Sequence, residues 1–260
     1  MAGVLLVTGG ARGIGAATVR LAAQDGDAVA VNYVSGAETA EALAAETTDA
    51  GGRAIAVQPD VADEASVEAM FAAIDEALGP VTALVNSAGL DGGAYRVADM
   101  PGDVLARLLA VNVTGTILCC REAVRRMSTR LGGKGGAIVN VSSMASTIGG
   151  RPQKAHYAAS KGAVDAFTVG LAKEVAAEGI RVNALRPGVT LTDMTDQVRD
   201  NPQVRARIAE TIAMQRPAEA EEMARPILFL LSEAASFVSG ARLDASGGGF
   251  TFGGTAPAED

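Results

Sequence analysis

Tryptophan is absent from this chain, and aromatic residues together make up only 3% of it. Any core must therefore be assembled mainly from alanine, valine, leucine and isoleucine. Histidine occurs once, at His156, and cysteine twice, at the adjacent positions Cys119 and Cys120. Adjacency argues against an ordinary structural disulfide, and the apolar stretch around the pair reads as helix with reduced, buried thiols. Two thiols and one imidazole are too few ligands for a metal site, so none is expected. Basic residues are outnumbered, 22 to 30, which gives a formal charge of −8. No basic stripe invites nucleic acid or an anionic membrane. No apolar run is expected to reach membrane-spanning length. The N-terminus enters a predicted strand at once, leaving no room for a signal peptide. These absences together predict a soluble, cytoplasmic protein.

What is present is glycine, 31 residues of it, in a chain of 260 that is 48% hydrophobic. That length suits one large domain with its own core. Short apolar runs alternate with longer amphipathic ones, the pattern of βα repeats around a parallel sheet. Strands are predicted at 4–8, 28–32, 54–58, 81–86, 137–141, 180–185 and 241–244. Helices are predicted at 15–24, 37–50, 64–78, 102–130, 155–178 and 220–232, the last kinked by Pro226. The fold class expected is α/β: a single doubly wound Rossmann-type domain over 1–260, with a seven-stranded parallel sheet and helices on both faces. A polar connection at about 190–215 reads as a substrate loop. The glycine-rich end, 249–260, reads as a flexible or interface tail.

Thr8-Gly9-Gly10-Ala11-Arg12-Gly13-Ile14-Gly15 lies between the first strand and the first helix. Glycines there permit a tight turn and let the backbone approach a pyrophosphate seated on the helix N-terminus. Gly9, Arg12, Gly13, Ile14 and Gly15 are the candidate phosphate-binding residues. After strand two, where a cofactor ribose would arrive, stand Asn32-Tyr33-Val34-Ser35 and no carboxylate. An acid there would repel a 2′-phosphate. Its absence, with Arg12 placed to meet that phosphate, favours NADP(H), with NAD(H) possible. Asp60 and Val61 follow strand three at the expected adenine edge, while Asp63 is the better candidate to cap the next helix. Asn86, Ala88 and Gly89 follow strand four, where small residues let a flat ring pass and Asn86 can tie neighbouring strands. Asn112 is a poor residue for the interior of a helix, so it either faces solvent or serves a polar site. Pro187 and Gly188 end strand six, with Thr190 and Thr192 beyond.

Tyr157 and Lys161 are four residues apart on a predicted helix, one turn apart on one face. An ammonium ~4 Å from a phenol, at an effective dielectric of ~20, attracts the phenolate by roughly 4 kcal/mol. That lowers a phenol from ~10 to about 7, suited to proton transfer near neutral pH. Ser142 and Ser143, at the end of strand five, offer hydroxyls to a substrate oxygen at the same sheet edge.

In these motifs the chain resembles the short-chain dehydrogenase/reductase family, from Val4 to about Gly248. The family's T-G-x-x-x-G-x-G is similar to Thr8–Gly15, and its N-N-A-G to Asn86-Ser87-Ala88-Gly89, with serine for the second asparagine. Its active-site asparagine, serine and Y-x-x-x-K resemble Asn112, Ser143, and Tyr157 with Lys161; its P-G resembles Pro187-Gly188. Ser142 is the neighbouring alternative to Ser143, since the following loop is one residue longer than in many members. Thr190 replaces a frequent isoleucine, and Ser246 a frequent aspartate.

The resemblance implies an oxidoreductase moving a hydride between a nicotinamide and a carbonyl or secondary alcohol. Tyr157 would be the acid–base group, Lys161 would lower its pKa and hold the ribose, Ser143 would orient the substrate oxygen, and Asn112 would support a proton relay. Substrates in the wider family include 3-oxoacyl thioesters and sugars such as glucose. It also implies helix pairing between subunits, hence a homotetramer or dimer. A cofactor-binding regulator of the same fold without turnover is the alternative. A serine hydrolase is disfavoured, because no G-x-S-x-G surrounds Ser143 and the single histidine adjoins Tyr157.

Overall fold

Alternation along the strands decides how this chain layers. In the computed structural model, which describes residues 3–249, β1 (Val4–Thr8) and β2 (Ala28–Asn32) are buried at every position. Successive side chains of a strand point to opposite faces, so a strand buried on both must be apolar throughout. Val4 and Leu6 enter one core, with Met70 and Phe71 of α3 (Glu64–Ala77), Cys119 and Cys120 of α5 (Thr116–Met127), and Leu171 of α7 (Ala155–Val175). Leu5 and Val7 enter the other, with Val19 of α1 (Gly13–Gln24), Leu43 of α2 (Ala37–Asp49) and Ile227 of α10 (Ala220–Leu231).

The remaining strands are β3 (Arg53–Val57), β4 (Ala83–Asn86), β5 (Gly136–Val141), β6 (Ile180–Pro187) and β7 (Arg242–Ala245); the one-turn helix α6 (Ala145–Ile148) follows β5. All pairings are parallel, in the order β3-β2-β1-β4-β5-β6-β7. The seven-stranded parallel Rossmann-type sheet read from the sequence is therefore present. Its order reverses between β1 and β4, and such a switch point opens a crevice at the carboxyl ends of the strands. β4 begins two residues later than expected, because Thr82 bonds Val4 with its backbone N–H and its side-chain oxygen before the ladder starts. Pro226 lies inside α10 without ending it.

Two predicted segments differ in kind. The long helix expected over 102–130 is α4 (Gly102–Leu109), a π-helical turn at Ala110–Gly115, and α5. Together Gly102–Met127 form a helical run of 26 residues, apolar enough by length and composition to cross a membrane. That corrects the expectation that no run is so long, although the core helix of a globular fold meets the same criterion. Here Leu108, Cys119, Cys120 and Ala123 are buried, and Arg126 ties the outer side to Asp75 of α3 at 2.8 Å. The polar connection at 190–215 holds two short helices, α8 (Asp196–Asp200) and α9 (Pro202–Ala209). Asn201 caps α9 by accepting from the Gln203 and Val204 amides, and Pro202 opens it. Of the expected tail, residues 250–260 lie outside the described residues.

Candidate active site

The glycine loop is shaped by contacts that leave no room for side chains. Gly9 has φ +62°, and a Cβ on it would lie 2.8 Å from the Ala88 Cα. Thr8 Oγ1 accepts from the Ser87 and Ala88 amides, both at 3.1 Å, which stitches the loops after β1 and β4 together. A Cβ on Gly15 would fall 2.4 Å from the Gly9 carbonyl oxygen, so Gly15 packs beneath the loop and does not line the groove. The first turn of α1 has no acidic residue and no side-chain cap. Its leading amides are thus left for an anion, where the helix dipole favours one.

A groove of about 900 Å³ runs from this loop along the carboxyl edge of the sheet. Gly9, Arg12, Gly13 and Ile14 line one end, with Asn32 and Tyr33 beside them; Asp60, Val61, Ala88 and Gly89 follow, then Ser143, Tyr157, Lys161, Pro187, Gly188, Thr190 and Thr192. Asn32 Oδ1 accepts from the Gly9 amide at 3.4 Å, and its Nδ2 donates to the Pro59 carbonyl at 2.8 Å. The Arg12 guanidinium donates to Ser35 Oγ at 3.2 Å and stands 3.9 Å from Asp193, an exposed and therefore weak pair. Asp60 accepts from the Ala62 amide at 3.0 Å and pairs with Arg107 at 2.8 Å. Asp63, as expected, caps α3 through the Ser66 amide. Thr192 and Thr195 form a reciprocal cap, and a Cβ on Gly13 would meet Thr192 Cγ2 at 3.0 Å.

Asn86 and Asn112 are buried and do not line the groove. Asn86 Nδ2 donates across to Asn140 Oδ1 at 2.9 Å, tying β4 to β5. Asn112 sits on the π turn, and its amide accepts from Leu90 N–H at 2.8 Å while donating to Leu90 O at 2.9 Å and Ser160 Oγ at 3.1 Å. A Cβ on Gly89 would be 3.5 Å from both Asn112 Oδ1 and Lys161 Nζ, so the two groups are neighbours across that glycine. Ser142 is buried and donates to the Lys161 carbonyl at 3.2 Å. Ser143 accepts from the Ala145 amide at 3.1 Å and sits against the Tyr157 phenol.

The expected lowering of the Tyr157 pKa is not found here. Burial pushes the phenol up, the Ser143 hydroxyl opposes that, and Asp91 adds to it. The reason is direction: Lys161 Nζ donates to the Val141 carbonyl at 2.9 Å and lies 5.9 Å from the phenol ring centre. Helical spacing puts both residues on one face without fixing where a four-carbon stem points. Burial also lowers Lys161 to about 8, only partly offset by Asp165, which leaves it mostly protonated at pH 7. With no tryptophan and three tyrosines in the chain, tyrosinate absorbance near 295 nm reads this directly. The difference between wild type and Tyr157→Phe should show no tyrosinate at neutral pH, the ionisation lying above the ordinary phenol range; an ionisation near 7 would contradict the assignment.

Several groove residues escaped the sequence reading. Arg107 faces Asp60 from α4, and Asp91 pairs with Lys154 across 63 residues of chain. Neither pair has a local sequence signal. Among the described residues no cluster of three or more metal-ligating side chains occurs, and both cysteines are free and buried.

The sheet order, the glycine loop at its switch point and the groove beyond define a nucleotide-binding α/β protein. Comparison with known proteins narrows the class. A family model described as Enoyl-(Acyl carrier protein) reductase matches residues 9–250. The uncharacterized oxidoreductase YgfF of Escherichia coli (strain K12) is 49% identical over 94% of this chain and 99% of its own. A cis-4-hydroxycyclohexanecarboxylate dehydrogenase of Sinomonas cyclohexanicum is 40% identical over 94% of this chain and 95% of its own. Among solved structures, a blue fluorescent protein from a metagenomic library, in complex with NADPH, superposes with a TM-score of 0.87 at 35% identity, covering 95% of this chain and 97% of that one. The chain belongs to the short-chain dehydrogenase/reductase family. It is an oxidoreductase of a family that works with a nicotinamide cofactor.

Proposed function

We propose that this groove binds NADP(H) and that the chain interconverts a carbonyl and a secondary alcohol at Tyr157. The observation that carries the reading is the side-chain-free turn at Gly9 and Gly13, packed on Gly15 and opening onto a groove that ends at Ser143, Tyr157 and Lys161. The nicotinamide, when bound, gives or takes the hydride. Gly9, Gly13, Ile14 and the α1 amides hold the pyrophosphate, with Gly15 supporting the turn. Asn32 and Tyr33 flank the adenosine ribose, and Asp60 and Val61 flank the adenine; both Asp60 oxygens keep a free lone pair. Asn86 braces the strand end behind Ala88 and Gly89, where the ring system passes. Pro187, Gly188, Thr190 and Thr192 face the nicotinamide end, and the segment at about 190–215 covers the substrate.

Ser143 donates to the substrate oxygen, and Tyr157 passes it a proton as the carbon is reduced. The raised phenol pKa keeps that proton in place at neutral pH, the form needed for reduction. Lys161, mostly charged, holds the nicotinamide ribose and stabilises the phenolate as it forms. Asn112 is a positioning residue: it fixes Leu90, and its π turn stands behind Lys161, where a water relays the proton. π-Helical turns of this kind recur at functional sites. The relative named for cis-4-hydroxycyclohexanecarboxylate acts on a secondary alcohol of the class proposed.

Preference for NADP(H) rests on Arg12 and Ser35 facing a strand end without a carboxylate. Arg12→Ala should weaken NADPH binding about tenfold, the worth of a charged hydrogen bond, and NADH by less than about twofold. Calorimetric titration of both cofactors checks this, and equal losses would contradict it. The apolar Leu105, Leu109 and Ile117 on α4 and α5 are partly exposed and support helix pairing into a homotetramer or dimer, within a cytoplasmic enzyme. Sedimentation at the mass of one 26.2 kDa chain would overturn that assembly.

A further inference from the structure

Five basic side chains line the groove: Arg12, Arg107, Arg151, Lys154 and Lys161. Four are engaged. Arg12 meets Ser35 and Asp193, Arg107 pairs with Asp60, Lys154 bonds Asp91 and the Gly93 carbonyl, and Lys161 bonds the Val141 carbonyl. Arg151 alone has neither an ion pair nor a side-chain hydrogen bond among the described residues. Arg151 is exposed at the groove's edge, and it is the one cation of the five whose charged group is free to take a ligand.

Its placement is specific. Arg151 lies on the segment between Ser143 and Tyr157, where Gly149 and Gly150, at φ +79° and +78°, turn the chain back toward α7. Its carbonyl accepts from the Lys154 amide at 3.0 Å, which holds the turn. The same groove carries apolar side chains open to solvent: Ile148, three residues before Arg151, is 50% exposed and Met194 49%, and Met144 and Leu90 also line it. Side chains of that kind standing in solvent within a groove offer a surface for hydrocarbon.

Building on the proposed carbonyl–alcohol chemistry, we propose that Arg151 binds a carboxylate at the far end of the substrate from the reacting carbon. The substrate class is then an oxo- or hydroxycarboxylic acid with a hydrocarbon body between its two polar ends. A planar guanidinium matches a carboxylate through two parallel N–H···O bonds. One open cation suits a monoanion; a phosphate dianion would want a second, and Lys154 has already given its charge to Asp91.

Two measurements test this together. The first compares kcat/KM for 4-oxocyclohexanecarboxylate and its neutral ethyl ester, with NADPH, in wild type, Arg151→Lys and Arg151→Ala. Wild type should favour the acid about tenfold, Arg151→Ala should erase that preference, and Arg151→Lys should keep part of it. A preference for the ester, or one that survives Arg151→Ala, overturns the proposal. The second titrates cyclohexanecarboxylate into the NADPH complex by calorimetry, which needs no turnover. Binding lost in Arg151→Ala and retained in Tyr157→Phe supports the carboxylate site, even if neither ketone is reduced; in that case the redox reading is what fails. No binding, or equal binding to Arg151→Ala, overturns the site and leaves the hydride chemistry standing.

Discussion

Tyr157→Phe should lower kcat/KM for carbonyl reduction about a thousandfold while leaving NADPH affinity within about twofold. The size follows from what positioned acid–base groups contribute, 10²–10⁴-fold. The selectivity follows from the geometry. The variant keeps the ring and removes only the hydroxyl, which faces Ser143 at the substrate end. The glycine loop lies at the other end of the groove. Lys161 keeps its bond to the Val141 carbonyl. Steady-state kinetics and a calorimetric NADPH titration on the same preparation check both halves. Unchanged turnover would remove Tyr157 from the chemistry.

Gly9→Ala should act on the opposite end of the groove. An L-residue at φ +62° is strained by roughly 1–2 kcal/mol. Its Cβ would also press the Ala88 backbone at 2.8 and 2.9 Å, and backbone does not yield as a flexible side chain does. Because Thr8 locks the two loops together, relief at one displaces the other. The expected result is a stability loss of about 2 kcal/mol in urea unfolding and at least a tenfold weaker NADPH complex. Gly26→Ala is the control for strain alone. Gly26 has φ +91°, nothing within 4 Å of its Cβ, and lies outside the groove. It should cost stability and leave NADPH binding as in wild type. A Gly9→Ala protein that binds NADPH normally would contradict the cradle.

The parts of this molecule legible in the sequence are those written in local pattern. Doubly buried strands such as Leu5-Leu6-Val7 announce themselves as unbroken apolar runs, and strand-to-helix turns rich in glycine mark the carboxyl edge. The Asn112 anomaly was also visible, since asparagine sits poorly in a helix interior. What was hidden is that the backbone widens into a π turn there, because nothing but Asn112 sets Ala110–Gly115 apart from an ordinary helical turn. The helices of the 190–215 connection were missed although Asn201-Pro202 is a strong start signal; at 5 and 8 residues they are too short to show a periodic face.

The lowered Tyr157 pKa expected from the spacing is absent for another reason. Spacing fixes which face a residue occupies, whereas pKa depends on burial and on where a long side chain finds its partner, and Lys161 finds a carbonyl on β5. Pairs such as Asp60–Arg107 and Asp91–Lys154 are set by the closed fold alone.

The most direct test of the central claim is the absorbance of reduced nicotinamide at 340 nm, followed with wild-type protein against a broad panel of ketones and secondary alcohols. The account predicts substrate-dependent oxidation of NADPH by at least one carbonyl compound, slower with NADH, and absent in Tyr157→Phe. Tight NADPH binding with no turnover across the whole panel would contradict it, and would make the chain a cofactor-binding regulator on an enzyme's fold.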